Sequence, residues 1–156
     1  MRKKMLHQLQ AAAASGAIAA GGIAVRQLRR HAQQGWGRNT PYGKLFDPAR
    51  LETIYGEVVR VTRFVPMPGM SEGIELLLQI GEEREAVHLG PSKFLTFDVA
   101  GIDPGDTVEV TGSKVELAGE TVLLATSVRK GDMRIELRNQ RGVPVWRRGS
   151  EERASS

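Results

Sequence analysis

Three side chains with the chemistry of soft-metal ligands lie near the middle of the sequence. Met67 and Met70 are separated by two residues in a loop rich in Pro and Gly, and His88 follows in a predicted strand. Thioether sulfur and imidazole nitrogen suit soft ions such as Cu(I). The pattern predicts a candidate metal site of Met67, Met70 and His88. The alternative is a barrel histidine whose ring N–H bonds a neighbouring strand or loop.

A run of carboxylates forms a second candidate metal site. Glu82, Glu83 and Glu85 fall at one predicted hairpin, and Glu72 and Glu75 flank the preceding loop. Carboxylate oxygens are the ligands that hard cations prefer. The alternative is a solvated, charged turn that protects a strand edge against aggregation.

Catalytic chemistry finds little support in the residue types. The chain has three histidines, at positions 7, 31 and 88, and neither of the first two lies near a sequence partner that would act as acid or nucleophile. It contains no G-x-S-x-G motif and no Gly-rich phosphate loop with a lysine. The absence of Cys excludes disulfides and thiolate metal sites. We therefore predict a non-enzymatic protein with no catalytic residues and no cofactor.

Short strands separated by Gly- and Pro-containing turns dominate residues 51–139. Regular short strands of this kind favour a barrel or a sandwich over alternating strand–helix units. Pro91 follows Gly90 and is suited to begin a short helix, because a first-turn residue needs no N–H partner. The sequence predicts an all-β, OB-type barrel of five to six strands, with one short helix between strands 3 and 4. The predicted strands are residues 52–64, with a bulge at Gly56, then 74–80, 84–89, 107–115, 121–128 and 133–137.

Residues 5–25 contain no Asp, Glu, Lys or Arg, and basic residues flank them on both sides. A helix of this length spans roughly 30 Å, which is enough to cross a bilayer core. We predict an N-terminal transmembrane helix with the barrel outside. A cleaved secretory signal and an Ala-rich soluble helix or disordered arm are the alternatives. The predicted organisation is a basic N-terminus (1–4), the anchor (5–25), a basic linker (26–50), the barrel (51–139) and a basic tail (140–156).

Charge is distributed unevenly along the chain. Residues 1–50 carry a net charge of +8, residues 51–128 carry −8, and residues 129–156 carry +4. OB domains that bind oligonucleotides need a basic groove and stacking aromatics. The acidic barrel therefore argues against nucleic acid as a partner.

Two features of the flanking segments have simple structural interpretations. Trp36 and Tyr42, in the predicted linker, lie at a membrane interface or pack on the barrel. After the fifth strand, alternation of Arg134, Glu136 and Arg138 predicts an outward, solvated strand face. Contact with anionic lipid headgroups or with an acidic partner is the alternative for the basic tail. Trp146 is expected to close one end of the barrel.

Several short motifs, in this order and spacing, resemble a family of small bacterial exported or membrane-anchored OB-fold proteins. The resemblance covers about residues 52–146. The matching pieces are ETIYGEV at 52–58, GM at 69–70, VHLGP at 87–91, PGDTVEVTGS at 104–113, LR at 137–138 and GVPVW at 142–146. Within that family the chain looks most like MamS-type magnetosome proteins of magnetotactic bacteria.

The resemblance implies a protein of the magnetosome membrane that affects the growth of the magnetite crystal. Its barrel is then expected on the lumenal side, which is equivalent to the periplasm. Its partners are expected to be the magnetosome membrane and either other magnetosome proteins or the iron mineral, which the Glu82 hairpin would contact. Two alternatives remain at this point: a periplasmic OB module that binds a ligand or cation, and a nucleic-acid-binding OB protein.

Overall fold

Six β-strands carry the fold in the computed structural model, which describes residues 32–96 and 98–146. The predicted anchor at 5–25 and most of the predicted tail lie outside these residues. Within the described ranges, no helix has the length and apolar character needed to cross a membrane. The strands are β1 (Leu51–Phe64), β2 (Gly73–Ile80), β3 (Glu83–Pro91), β4 (Thr107–Leu117), β5 (Glu120–Lys130) and β6 (Met133–Glu136), and the helix α1 is Ser92–Leu95.

The strands close into a ring. Neighbouring strands pair antiparallel in the order β3-β2-β1-β4-β5-β6, and a parallel pairing of β3 with β5 joins the two sides. Three residue pairs form this parallel seam, with residues 86–88 opposite residues 122–124. The ring order β1-β2-β3-β5-β4, with α1 between β3 and β4, matches an OB-type barrel. The predicted β-rich ring of strands is therefore confirmed.

β1 is long enough to belong to both sides of the ring. Its first half, from Leu51 to Glu57, pairs with β4, and its second half, to Phe64, pairs with β2. A bulge between Val58 and Arg60 interrupts the ladder where the strand changes partner. Bulges increase local bending and twist, which the closure of a small barrel requires. The sequence predicts the bulge at Gly56, whereas the structure has it two to four residues later, between Val58 and Arg60.

Apolar side chains at alternate strand positions fill the barrel interior. Leu76 and Leu78 on β2 and Val87 and Leu89 on β3 are completely buried. Successive strand side chains point to opposite faces, so these residues share the inner face. Full burial of each such side chain contributes roughly 1.5–3 kcal/mol to folding.

The chain before β1 packs against the barrel. Trp36, Tyr42 and Phe46 are buried and belong to the core, although the sequence places them in a linker. The Trp36 ring meets Tyr42 edge-on with centroids 5.0 Å apart, and Trp146 at 6.4 Å. Residues from both sides of the barrel sequence therefore form one aromatic cluster. Of the two interpretations for Trp36 and Tyr42, the structure shows packing on the barrel.

Candidate functional site

His88 and Glu75 lie side by side on the outer face of β2 and β3. They are paired across the two strands, and each is adjacent to inward-facing residues of its own strand, so alternation turns both outward. His88 is nevertheless only 2% exposed. The Tyr42 ring lies nearly parallel to the His88 ring with centroids 6.0 Å apart, and Phe64 packs on His88 with centroids 4.5 Å apart. The preceding segment thus covers the histidine.

A chain of polar contacts runs through the His88 ring. The Tyr42 hydroxyl lies 3.0 Å from Nδ1, and Nε2 lies 3.4 Å from Oε2 of Glu75. Arg138 also lies close enough to affect the Tyr42 hydroxyl, and its guanidinium has only donors to offer. The hydroxyl proton is therefore assigned toward Nδ1 of His88. A neutral imidazole in this position carries its own proton on Nε2 and directs it at Glu75.

Arg138 holds the seam between β3 and β5. Its Nη1 donates to the carbonyl oxygens of Leu89 at 3.2 Å and Ala125 at 2.5 Å. These two carbonyls come immediately after the last parallel pair of the seam. The guanidinium of Arg138 therefore extends the β3–β5 seam beyond the last pair of the backbone ladder. Trp146 covers the guanidinium at 5.1 Å in a cation–π arrangement.

The burial of Arg138 has an electrostatic cost. Burial lowers the pKa of the guanidinium, and Nη2 has no hydrogen-bond partner among the described residues. The sequence predicts Arg138 on an outward strand face, but β6 ends at Glu136 and the alternation does not continue. Arg134 and Glu136 do lie outward, where they form an exposed ion pair.

Replacement of Tyr42 by Phe is expected to flatten the alkaline part of the stability profile. Burial raises the pKa of Tyr42 far above the ordinary value of about 10. Stability from the neutral hydroxyl is complete below the ordinary pKa and is lost as pH rises above it, because only the unfolded chain ionises readily. In the wild type, the unfolding free energy should fall by up to about 1.4 kcal/mol per pH unit from this group above pH 10.

Urea unfolding between pH 8 and pH 11.5 measures this slope. Tyr55→Phe is the matched control, because Tyr55 is 63% exposed. The control should keep the wild-type slope, and Tyr42→Phe should lose it. Equal slopes in the two variants would contradict the assignment of the alkaline transition to Tyr42. Below pH 9, loss of the hydroxyl should cost about 1–2 kcal/mol, because Nδ1 of His88 loses its buried partner.

A small pocket opens beside Glu75, between the β1–β2 loop and the β4–β5 hairpin. We call it the Glu75 pocket, and its volume is about 140 Å³. Its polar lining consists of Glu75, His88 and Glu120. Its apolar lining consists of Phe64, Val65, Pro66, Leu117, Ala118 and Val122. Ala118 has a φ of 52°, in the left-handed region that side chains other than Gly and Asn seldom adopt. The rim of the pocket therefore holds backbone strain.

The members of the first predicted metal site belong to two different elements, the β1–β2 loop and β3. Met67 and Met70 lie in the β1–β2 loop, half-buried against the core. A Cβ at Gly35 would lie 2.4 Å from Cγ of Met70, so Met70 packs closely on that backbone. Neither methionine lines the Glu75 pocket, and both nitrogens of His88 face other polar groups. A soft-ion site of Met67, Met70 and His88 stays a prediction.

Two of the three carboxylates at the predicted acidic hairpin are exposed, and the third forms an ion pair. Glu82 and Glu83 are exposed at the β2–β3 turn. Glu85 instead lies 3.6 Å from Lys114, and its charge is the largest cause that raises the pKa of that lysine. Across residues 32–96 and 98–146, no group of three or more His, Asp or Glu side chains is arranged to hold a metal ion.

Sequence reasoning selected His88 and, as part of a separate acidic site, Glu75, but it did not join the two or add Tyr42 and Arg138 to them. Tyr42 precedes His88 by 46 positions and Arg138 follows β6, so no local spacing relates them. Glu120 belongs to the pocket only because the β4–β5 hairpin comes near the β1–β2 loop. One signal in the sequence could have indicated the role of Tyr42: it lies between Trp36 and Phe46 in a segment otherwise rich in Gly and Pro. A buried tyrosine usually needs a polar partner.

Comparison with known proteins gives one protein family and similarities to solved structures. No curated protein sequence matches the chain. A chain of the S. pombe Stn1-ten1 complex is similar, with 16% identity and a TM-score of 0.44 over 53% of this chain. The match covers 59% of that chain, and so distant a similarity carries no functional argument.

The model of one protein family matches residues 50–135, which is more than half of the chain. This range runs from the residue before β1 to the third residue of β6, so it includes both Glu75 and His88. The protein therefore belongs to the MamS/MamX magnetosome protein family.

Proposed function

We propose that this protein is a membrane-anchored, non-enzymatic OB-type module of the magnetosome that contributes to the growth of magnetite crystals in size and shape. The observation that carries the proposal is the family match, which spans nearly every strand of the barrel. The proposed partners are the magnetosome membrane, other magnetosome proteins and, through the Glu82 hairpin, the iron mineral.

The polar groups on the barrel support a binding role over catalysis. His88 is the one histidine in the described residues, and both of its nitrogens face Tyr42 and Glu75. A general base needs a free nitrogen within reach of a substrate proton. The groups around His88 instead hold its ring in one orientation and place Glu75 at the pocket.

Two features of the barrel disfavour nucleic acid as a partner. In OB folds that bind oligonucleotides, the outer face of β2 and β3 and the adjoining loops make the contacts. Here Tyr42 and Phe64 pack on His88 at that face, so their rings are not free to stack with bases. Residues 51–128 also carry a net charge of −8, which repels phosphates.

The proposed location is the magnetosome membrane, with residues 5–25 as a single transmembrane helix and the barrel in the lumen. The uncharged stretch between basic flanks supports the anchor. Carbonate extraction and protease protection of tagged protein in isolated magnetosomes test it. Resistance to both is the expected result. Extraction into the soluble fraction, or digestion of the barrel in sealed vesicles, would overturn the anchored, lumenal arrangement.

Complementation of a deletion strain tests the role in crystal growth. Crystal length and shape, measured by electron microscopy, should be altered in the deletion and restored by the wild-type chain. A Glu82→Gln/Glu83→Gln variant separates direct mineral contact from an indirect role, because both side chains are exposed and their replacement spares the fold. Normal crystals in the deletion strain would refute the proposed role.

A further inference from the structure

The Glu75 pocket combines two kinds of surface. Phe64, Val65 and Leu117 contribute apolar walls, and Glu75 and Glu120 contribute carboxylates. A ligand that fits both has a hydrocarbon part for the walls and a cationic end for the carboxylates. Lysine and arginine side chains have this construction, since an aliphatic stem carries a charged head.

The volume of the pocket fits the end of such a side chain. A cavity of about 150 Å³ can hold benzene, which has six carbon atoms, so a pocket of about 140 Å³ takes a group of similar size. The last carbons and the ammonium of a lysine, or the guanidinium of an arginine with its adjoining carbon, occupy about this space.

The internal contacts prepare Glu75 to accept a cation. Nδ1 of His88 accepts a hydrogen bond from the Tyr42 hydroxyl, so the ring proton is assigned to Nε2, which lies 3.4 Å from Oε2 of Glu75. This contact holds the carboxylate at the pocket. The side chain of Glu75 keeps 24% exposure, so a ligand can reach it.

We propose that the Glu75 pocket binds a lysine or arginine side chain presented by a partner protein. The net charge of −8 on residues 51–128 attracts a basic partner segment toward this surface. A resident metal ion is the weaker fit, because the described His, Asp and Glu side chains form no group of three that would hold one. The inference names the partner chemistry of the proposed binding module and rests on that proposal.

Titration of the full-length protein in detergent with n-butylammonium and n-butylguanidinium tests the inference. Methyl NMR signals of Val122 and Leu117 report occupancy, because both residues line the pocket. We expect a Kd of about 1 mM, which corresponds to roughly −4 kcal/mol. n-Butanol, which has the stem without the charge, should bind at least tenfold more weakly.

Two pairs of variants locate the binding. Glu120→Gln should weaken n-butylammonium at least fivefold, and it should fold normally because Glu120 is exposed. Glu75→Gln should weaken it further, and its urea unfolding curve checks that the barrel is intact. Glu82→Gln/Glu83→Gln is the matched control, because it removes two exposed carboxylates of the same barrel outside the pocket.

Three outcomes would overturn the inference. One is equal weakening by the control pair, which would mean general attraction to an acidic barrel. Another is equal binding of n-butanol. The third is displacement of n-butylammonium by equimolar Mn²⁺ with line broadening centred on Val122, which would make the pocket a metal site. Each can occur while the crystal phenotype stands, so failure here is distinguishable from failure of the proposed function.

Discussion

Trp36→Ala is expected to lower the free energy of unfolding by about 3–5 kcal/mol, the range for truncation of a fully buried tryptophan. Trp36 is only 2% exposed. Its ring fills the space above Gly73, where a Cβ would lie 2.1 Å from Cζ2 of Trp36. Its Nε1 donates to the carbonyl of Ser71 at 2.9 Å. Truncation therefore leaves a cavity and removes a long-range hydrogen bond together.

Urea unfolding followed by far-UV circular dichroism measures the effect without relying on the lost fluorophore. Tyr55→Ala is the control, because it truncates an aromatic ring that is 63% exposed on β1. The control should change stability by no more than about 0.5 kcal/mol. If Trp36→Ala costs as little as the control, the segment before β1 does not belong to the cooperative fold.

The strands were predictable because their signal is local. Residues 74–80 alternate and are bounded by Gly at both ends, and the observed β2 differs by one residue at its start. The same holds for β4 and β5, where turn residues such as Pro104 and Gly119 fix the boundaries. Most strands extend one or two residues beyond a predicted end, whereas β6 ends one residue earlier than predicted, at Glu136.

The aromatic cover over β2 and β3 was not predictable in the same way. Trp36 and Tyr42 lie among Gly, Pro and charged residues. Because apolar residues do not recur at a regular spacing in this segment, its sequence does not show which side chains are buried. Their position depends on contacts with His88 and Trp146, which are distant in the chain. The candidate site shares this property, since Tyr42, His88 and Arg138 meet only after the barrel has closed.

Arg138→Met is expected to lower the free energy of unfolding by about 2–3 kcal/mol, although it removes a buried charge. Two effects oppose one another. The carbonyls of Leu89 and Ala125 lose their donor in the interior, at about 1–3 kcal/mol each. Removal of the guanidinium also removes its desolvation penalty, which offsets part of this loss of stability. The penalty is large because, among the described residues, no carboxylate pairs with Arg138 and Nη2 has no hydrogen-bond partner.

The hydrogen bonds are expected to outweigh the desolvation because they continue the seam that closes the barrel. Arg138→Met keeps most of the side-chain volume, so little of the loss should come from a cavity. Arg134→Met is the matched control, since that arginine is exposed, and it should change stability by no more than about 0.5 kcal/mol. Hydrogen exchange adds a local readout, with faster exchange at residues 86–88 and 122–124 expected in Arg138→Met. An equally stable or more stable Arg138→Met protein would show that desolvation of the guanidinium costs more than the two seam hydrogen bonds contribute.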